Sequence, residues 1–193
     1  MNLLLEKYND YYSMTKFKYS YNISNGAILD FGFMKTSFVH LIGMHKLVDI
    51  PIIGRFNNPK DRIVSSRYII SKIKQENMLT DNVIRSSAYY KDIEDRYNNF
   101  SRDNIMRITY TDIIIDFDPK YINSKLTAKY ILYNYSNGLY NYLAIAEAPN
   151  GTYYVESFFT TKADSYIKNQ KTLKVDSFKI LHDSGDVYLE DTF

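Results

Sequence analysis

The sequence predicts an α+β fold in which an N-terminal β-hairpin and several helices pack on an antiparallel sheet of four to five strands. The hairpin is indicated by Asn25-Gly26 between extended apolar runs at 17–23 and 27–33, because both turn residues tolerate a positive φ. The sheet is indicated by runs of β-branched and aromatic residues in the second half of the chain. Because helices and strands follow one another in separate blocks, we expect the helices on one face of the sheet.

Helices are predicted where apolar residues recur every three to four positions. A short helix or arm at 1–15 precedes the hairpin, and the helical segments after it cover 36–47, 60–75, about 81–99 and 162–169. The first of these segments is indicated by the helical spacing of Phe38, Leu41 and Ile42.

The remaining strands are predicted where β-branched and aromatic residues lie between turn signals. They cover 108–117, 127–135, 139–147, 151–159 and 172–182. Asn137-Gly138 and Asn150-Gly151 separate the middle three runs, so these strands are expected to form an antiparallel meander. The sequence has no internal repeat and no linker, which predicts a single domain over residues 1–193.

The composition excludes several classes of protein. With 24 basic and 22 acidic residues the net charge is +2, which is too low for a general nucleic-acid coat protein but allows a local basic cleft. The absence of cysteine excludes disulfides, thiolate metal sites and cysteine nucleophiles. The sequence has neither a secretory signal nor an apolar run of about 18 residues, so we expect a cytoplasmic protein without a membrane partner.

Neither a metal nor a cofactor is predicted. His40 and His45 are five residues apart, which on a continuous helix separates them by about 140° and suits a shared metal poorly. Asp112, Asp116 and Asp118 lie close together in sequence, and a strand end that turns at Asp118 explains them. Neither a glycine-rich phosphate loop nor a Gly-x-Ser-x-Gly elbow occurs in the sequence.

The residue types present suit acid–base cleavage of RNA. The 2′-hydroxyl of RNA is its own nucleophile, so an enzyme needs a base for that hydroxyl, an acid for the 5′-oxygen and cations for the phosphate charge. Side chains of these types are His40, His45, Lys46, Arg96, Lys162 and His182. Structural roles compete with this interpretation, since His40 lies between apolar neighbours and could be a core histidine. Arg96 lies four residues after Asp92, at the spacing of an ordinary surface ion pair on a helix.

Three local patterns occur in a particular order. The first is the segment 26–33, followed by the run His-Leu-Ile-Gly-Met-His-Lys-Leu at 40–47. The second is Ile-x-x-Arg-x-x-x-Phe at 93–100, and the third is the segment 154–159, followed by a predicted short helix and by 171–175. Together they resemble a family of phage and mobile-element domains that is grouped with barnase, EndoU, colicin-type and RelE-type RNases. The resemblance covers about residues 17–182, and its most specific part is the His-Leu-x-Gly-x-His-Lys-Leu core.

The resemblance implies an RNase-like fold, with helices followed by a four- or five-stranded antiparallel sheet, and RNA cleavage without a metal. By position, His40 matches the family's histidine, Arg96 its helix arginine and Ser157 the polar residue before Phe-Phe. Glu156 departs from the pattern, because a small residue or proline is expected immediately before Ser157.

The leading hypothesis is a metal-independent endoribonuclease from a phage or mobile element, with RNA, tRNA included, as its substrate. His40 would serve as general base or acid, Arg96 would hold the phosphate and Ser157 would orient it. The predicted substrate-binding residues are Lys46, His45 and Lys162. His45 and Lys46 are expected at the rim of the site.

Two alternatives stay open. A non-catalytic phage protein on the same scaffold could bind and inhibit a host defence protein, and the near-neutral charge and the 20 tyrosines favour this hypothesis. A small-nucleotide binder would instead require a tight aromatic pocket.

Overall fold

The structure is a computed structural model that describes residues 2–54, 62–75, 78–102, 105, 110–136 and 138–193. Contacts between residues divide the chain into two compact units. The helical unit consists of residues 1–14 and 34–105, and the sheet unit of residues 15–33 and 106–193. The predicted helix start at 60–61, the predicted strand start at 108–109 and the predicted turn residue Asn137 lie outside the described residues.

The helical unit contains the predicted N-terminal helix and a series of shorter ones. Their bounds are α1 (Leu3–Met14), α2 (Phe38–Leu41), α3 (Pro51–Gly54), α4 (Arg62–Lys74), α5 (Asp81–Arg85) and α6 (Glu94–Asn99), with 3-10 turns at Met44–Lys46 and Tyr90–Asp92. No helix in the described part of the chain is both long and apolar enough to cross a lipid bilayer.

The prediction of one continuous helix over 36–47 is wrong. Helix α2 ends at Leu41, and Gly43 adopts φ +83°, a left-handed conformation that strains other residues but not glycine. The chain bends there and resumes as the 3-10 turn Met44–Lys46. The apolar residues that suggested one helix are still fully buried, because one helical turn and the bend after it suffice to bury them.

The predicted helix over 81–99 is interrupted as well. The Asp49 carboxylate accepts hydrogen bonds from Ser87 Oγ at 2.6 Å and from the Ala88 backbone N–H at 2.9 Å. In a continuous helix the Ala88 N–H would donate to the carbonyl of Ile84. Because Asp49 takes this donor, the segment divides into α5, a 3-10 turn and α6.

Aromatic rings fill the core of the helical unit around α2. The Phe38 ring lies 5.4 Å from the rings of Tyr8 and Tyr11 on α1, and 5.9 Å from the ring of Phe100, between centroids. Edge-on and tilted ring pairs of this kind add to the hydrophobic gain from burial. The cluster holds α2 against α1 and the residue after α6, and so fixes the backbone that presents His40.

In the residues that the structure describes, the sheet unit contains one sheet of eight strands, whereas four to five were predicted. The strands are β1 (Phe17–Ile23), β2 (Ile28–Gly32), β3 (Asp112–Ile115), β4 (Tyr130–Ser136), β5 (Leu139–Glu147), β6 (Tyr153–Thr161), β7 (Thr172–His182) and β8 (Val187–Thr192). The predicted hairpin β1–β2 and the predicted antiparallel meander β4–β5–β6 are confirmed. The α+β class is thereby confirmed, and the packing of helices on the sheet stays a prediction.

Seven of these strands close into a ring. Strand β1 pairs with β2 along one edge and with β7 along the other, so the order β1-β2-β6-β5-β4-β3-β7 returns to β1. Strand β8 pairs with β7 outside this ring. The pairing of β2 with β6 is parallel, which corrects the expectation of a wholly antiparallel sheet. The predicted number of strands was too low because the hairpin joins the sheet and a further strand, β8, follows β7.

A buried apolar cluster packs on strands β3 to β6, and we call it the sheet core. It consists of Ile114, Phe117, Ala128, Ile131, Tyr142, Ala144 and Phe159. Residues 165–169 form hydrogen-bonded turns, which corrects the predicted short helix at 162–169. These turns bring Tyr166 and Ile167 against the sheet core, so the segment is held by its own side chains.

Candidate active site

The two histidines of the 40–47 run lie together. The imidazole rings of His40 and His45 are stacked, with centroids 4.4 Å apart and planes inclined by 21°. The expectation that they lie on different faces is wrong, because it assumed a helix that continues through Gly43. The Gly43 N–H donates to the His40 carbonyl at 3.0 Å, and the chain then reverses toward His45.

Gly43 also determines how closely α6 approaches. A Cβ atom at position 43 would lie 2.9 Å from Ile93 Cγ2 and 3.4 Å from Arg96 Cδ. Contacts under 3.0 Å require neighbouring atoms to move, so only glycine fits here without displacement. The first and second sequence patterns therefore meet in space, with Ile93 and Arg96 of the second pattern packed on the glycine of the first.

Lys46 completes a group of four basic side chains in the helical unit. Its Nζ donates to the Asp92 backbone carbonyl at 3.2 Å. Burial and the nearby Arg96 guanidinium lower the pKa of Lys46, while Asp92 acts in the opposite direction. Asp92 lies in the 3-10 turn before α6, and Arg96 lies within that helix.

We call His40, His45, Lys46 and Arg96 the basic cluster. Its side chains provide two imidazoles, whose ring nitrogens can accept or donate a proton, and two cations of the type that suits phosphate. These are the kinds of group that acid–base cleavage of a phosphodiester needs. Four of the six predicted site residues thus lie in one region of the helical unit.

Asp49 supports this region and was missed in the sequence. Its hydrogen bonds to Ser87 and Ala88 fix the segment that leads into the turn carrying Asp92, whose carbonyl binds Lys46. Asp49 is 38 and 39 residues from these two partners, and no local pattern marks such a pairing.

The other two predicted site residues belong to the sheet unit. Ser157 is 3% exposed on β6, and Lys162 is exposed just beyond the end of that strand. Ser157 pairs with Ala144 of the sheet core, whereas the next pair is Ile145 with Val155. The convergence of Ser157 and Lys162 with the basic cluster stays a prediction.

This change in register leaves Glu156 as an extra residue, in a β-bulge. The bulge frees its side chain to accept hydrogen bonds from the Thr127 N–H at 3.1 Å and the Thr127 hydroxyl at 2.8 Å. Glu156, the departure from the family pattern, therefore binds the segment that precedes β4.

The third histidine is held in a turn. His182 ends β7, and its Nδ1 lies 2.8 Å from Ser184 Oγ, which in turn donates to Asp186 at 2.7 Å. Its ring packs edge-on against Phe17, with centroids 5.1 Å apart. These contacts account for His182 as a residue of the β7–β8 hairpin.

The three neighbouring aspartates act structurally. Asp112 pairs with Lys174 at 2.5 Å, Asp116 adopts φ +52° after β3, and the Asp118 carboxylate accepts the Lys120 N–H at 3.0 Å. The predicted turn at Asp118 is therefore confirmed. Within the part of the chain that the structure describes, no group of three or more His, Asp or Glu side chains is arranged to hold a metal ion.

A single family profile matches residues of both units. The profile of a family described as phage-Barnase-EndoU-ColicinE5/D-RelE like nuclease4 matches residues 3–184. No curated protein and no solved structure matches the chain significantly. The matched range contains both histidines of the basic cluster, the Arg96 helix and the β6 strand, and it confirms the resemblance seen in the sequence. The chain belongs to the phage-Barnase-EndoU-ColicinE5/D-RelE like nuclease4 family.

Proposed function

We propose that this protein is a metal-independent endoribonuclease that cleaves RNA, tRNA among its candidate substrates, in the cytoplasm of a bacterial host. The observation that supports it most is the stacked pair His40–His45 beside two cations. Membership in a nuclease family supports a nucleic-acid substrate. RNA is the substrate that suits acid–base groups alone, because it supplies its own nucleophile.

The proposed reaction is an intramolecular transesterification at one phosphodiester of the RNA. The 2′-oxygen attacks the adjacent phosphorus while one imidazole takes the 2′-hydroxyl proton. The bond from phosphorus to the 5′-oxygen breaks, and a protonated imidazole gives its proton to that oxygen. The products are a 2′,3′-cyclic phosphate and a free 5′-hydroxyl, so protons and charges balance without a further reactant.

The stacked arrangement suits a pair that must hold one proton. Two charged imidazolium rings in contact would repel each other, which disfavours a doubly charged pair. In a pair that carries one positive charge, the neutral ring would act as base and the charged ring as acid. His45 accordingly becomes a candidate catalytic residue instead of a residue of the rim.

Arg96 and Lys46 are the proposed phosphate ligands. The planar guanidinium of Arg96 can donate two parallel hydrogen bonds to phosphate oxygens, and the Lys46 ammonium adds a point charge. Orientation of the phosphate by Ser157 and RNA contact by Lys162 are proposed from the resemblance, and Ser157→Ala and Lys162→Ala test them.

The test is cleavage of purified tRNA and single-stranded RNA in the presence of EDTA. We expect 2′,3′-cyclic phosphate ends, no cleavage of DNA or 2′-O-methyl RNA, and a loss of rate of about 10²- to 10⁴-fold in His40→Ala. His182→Ala is the matched control, because it removes a histidine that a turn holds. Expression in bacteria should slow growth only when His40 is present.

The opposite result is equally clear. If the purified protein leaves RNA and tRNA intact, and His40→Ala has no effect on host growth, the endoribonuclease proposal fails. Recovery of one host protein in stoichiometric complex would then favour the non-catalytic alternative.

A further inference from the structure

The sheet unit contains a cavity that lies outside the basic cluster. Its volume is about 320 Å³, at the small end of the range of ligand pockets. It is lined by Tyr121, Ile122, Ser165, Tyr166, Lys168 and Asn169. One wall follows the 3-10 turn Pro119–Tyr121, and the other is the turn segment after β6.

The two walls are fastened to each other by Gln170. Its side-chain Oε1 accepts the Asp118 N–H at 3.0 Å, and its Nε2 donates to the Asp118 carbonyl at 2.8 Å. The Asp118 carboxylate in turn accepts the Lys120 N–H and fixes the first turn of its wall. The cavity is therefore preformed, which lowers the entropy cost of filling it.

The aromatic side chains of the cavity differ in how they are held. The Tyr166 ring packs 4.6 Å from the ring of Phe159 and 5.3 Å from that of Tyr142, so the sheet core fixes its orientation. Tyr121 is 56% exposed. One anchored ring and one ring open to solvent are suited to hold a flat group between apolar surfaces.

The polar groups of the lining suit a nucleotide. Lys168 supplies a cation for a phosphate, and Asn169 and Ser165 can donate to and accept from the edge of a base or the sugar. None of the described residues that line the cavity is acidic. Aromatic faces that stack bases beside a positive charge are the usual means of binding single-stranded nucleic acid.

We propose that this cavity binds one nucleotide of a single-stranded RNA, with its base against Tyr121 and Tyr166 and its phosphate on Lys168. The choice of RNA rests on the proposed function. The cavity would then serve as a binding subsite for the strand, and it performs no chemistry itself.

The test measures binding without cleavage. A fluorescent 2′-O-methyl oligonucleotide of about eight nucleotides spans a typical single-strand site and lacks the nucleophile for cleavage. Its affinity is measured by fluorescence anisotropy for Tyr121→Ala and Lys168→Ala. Tyr135→Ala is the matched control, because Tyr135 is 62% exposed and lies outside the cavity.

We expect Tyr121→Ala to weaken binding by about 5- to 150-fold, the range seen when one base-stacking residue is removed. Lys168→Ala should weaken binding and also reduce its dependence on salt. Tyr135→Ala should change the affinity by less than about twofold. Equal affinities for Tyr121→Ala and Tyr135→Ala would overturn the proposal.

Competition identifies the source of the nucleotide. Displacement by unlabelled oligonucleotide but not by nucleoside monophosphate at equal concentration supports a strand, and equal displacement by both overturns the strand as occupant. Binding that depends on Tyr121, in a protein that leaves RNA intact, would contradict the endoribonuclease and retain this subsite. If the protein cleaves RNA and Tyr121→Ala leaves the KM unchanged, the endoribonuclease proposal is supported and the subsite is contradicted.

Discussion

Gly43 and Arg96 are packed so closely that a single added methyl group at position 43 would contact the Arg96 side chain at 3.4 Å and that of Ile93 at 2.9 Å. We therefore expect Gly43→Ala to destabilise the protein by two effects. A left-handed φ costs an alanine about 1–2 kcal/mol, and overpacking adds about 1–3 kcal/mol. Urea denaturation measures the sum.

Gly26→Ala provides the control for this substitution. Gly26 has nearly the same φ, +82°, but no described atom lies within 4 Å of an added Cβ. Gly26→Ala should therefore lower the free energy of unfolding only by the cost of the left-handed φ, about 1–2 kcal/mol. Equal losses for the two variants would contradict close packing between Gly43 and α6.

The stacked histidines predict a non-additive effect on cleavage. His40→Ala and His45→Ala should each lower kcat by about 10²-fold or more, and the double variant should be little slower than either single one. The reason is that base and acid act in one step, so the loss of either disables both. A double-mutant cycle of single-turnover rates for His40→Ala, His45→Ala and the double variant checks this. A His45→Ala variant with full activity would refute a catalytic role for the pair.

The guanidinium of Arg96 predicts a loss of activity in Arg96→Lys, because a positive charge alone does not replace its two hydrogen bonds to phosphate. Arg96→Lys keeps the charge but loses the planar fork, so we expect kcat/KM to fall about tenfold or more. Arg85→Lys is a suitable comparison, because Arg85 lies outside the basic cluster and forms an ion pair with Asp81 at 2.7 Å. Equal activity of the two variants would argue against a bidentate phosphate contact.

Asp49 predicts an acid-sensitive contribution to stability. Its hydrogen bonds from Ser87 and Ala88 hold the pKa of the Asp49 carboxyl below its ordinary value of 3.8. A lowered folded-state pKa means that the contribution is complete above the ordinary value and is lost as the pH falls through the lowered one. Asp49→Ala should therefore be less stable than the wild type at pH 7, and the difference in unfolding free energy should shrink toward pH 2. A difference that is constant with pH would show that ionised Asp49 does not hold this segment.

The predictable parts of the fold are those with local signals. The hairpin and the meander depend on turns between neighbouring strands, and the Asn-Gly pair marks the turn of the hairpin, in which Gly26 adopts φ +82°. Ring closure depends instead on β1 meeting β7, and in the folded protein Asn22 bonds Ser177, 155 residues away. No window of sequence contains that information, so the sheet was predicted too small.

The same distinction applies to the candidate site. The residue types were predictable, since His40 and Arg96 belong to recognisable patterns. Their geometry was not, because apolar residues at helical spacing are buried equally well by one turn and a bend. The positive φ of Gly43 distinguishes the two structures, and Gly in a helical pattern is a weak signal by itself. Asp49 had no signal at all, because its partners are distant in sequence.

The closed ring of strands has a consequence for synthesis of the chain. Strand β1 leaves the ribosome about 155 residues before its β7 partner. At about 5–20 residues per second, the β1 edge waits roughly 8–30 s for that partner. The sheet can close only after β7 has been synthesised, so a ribosome that stalls before β7 would hold a chain with an open strand edge. We expect such nascent chains to require chaperone protection.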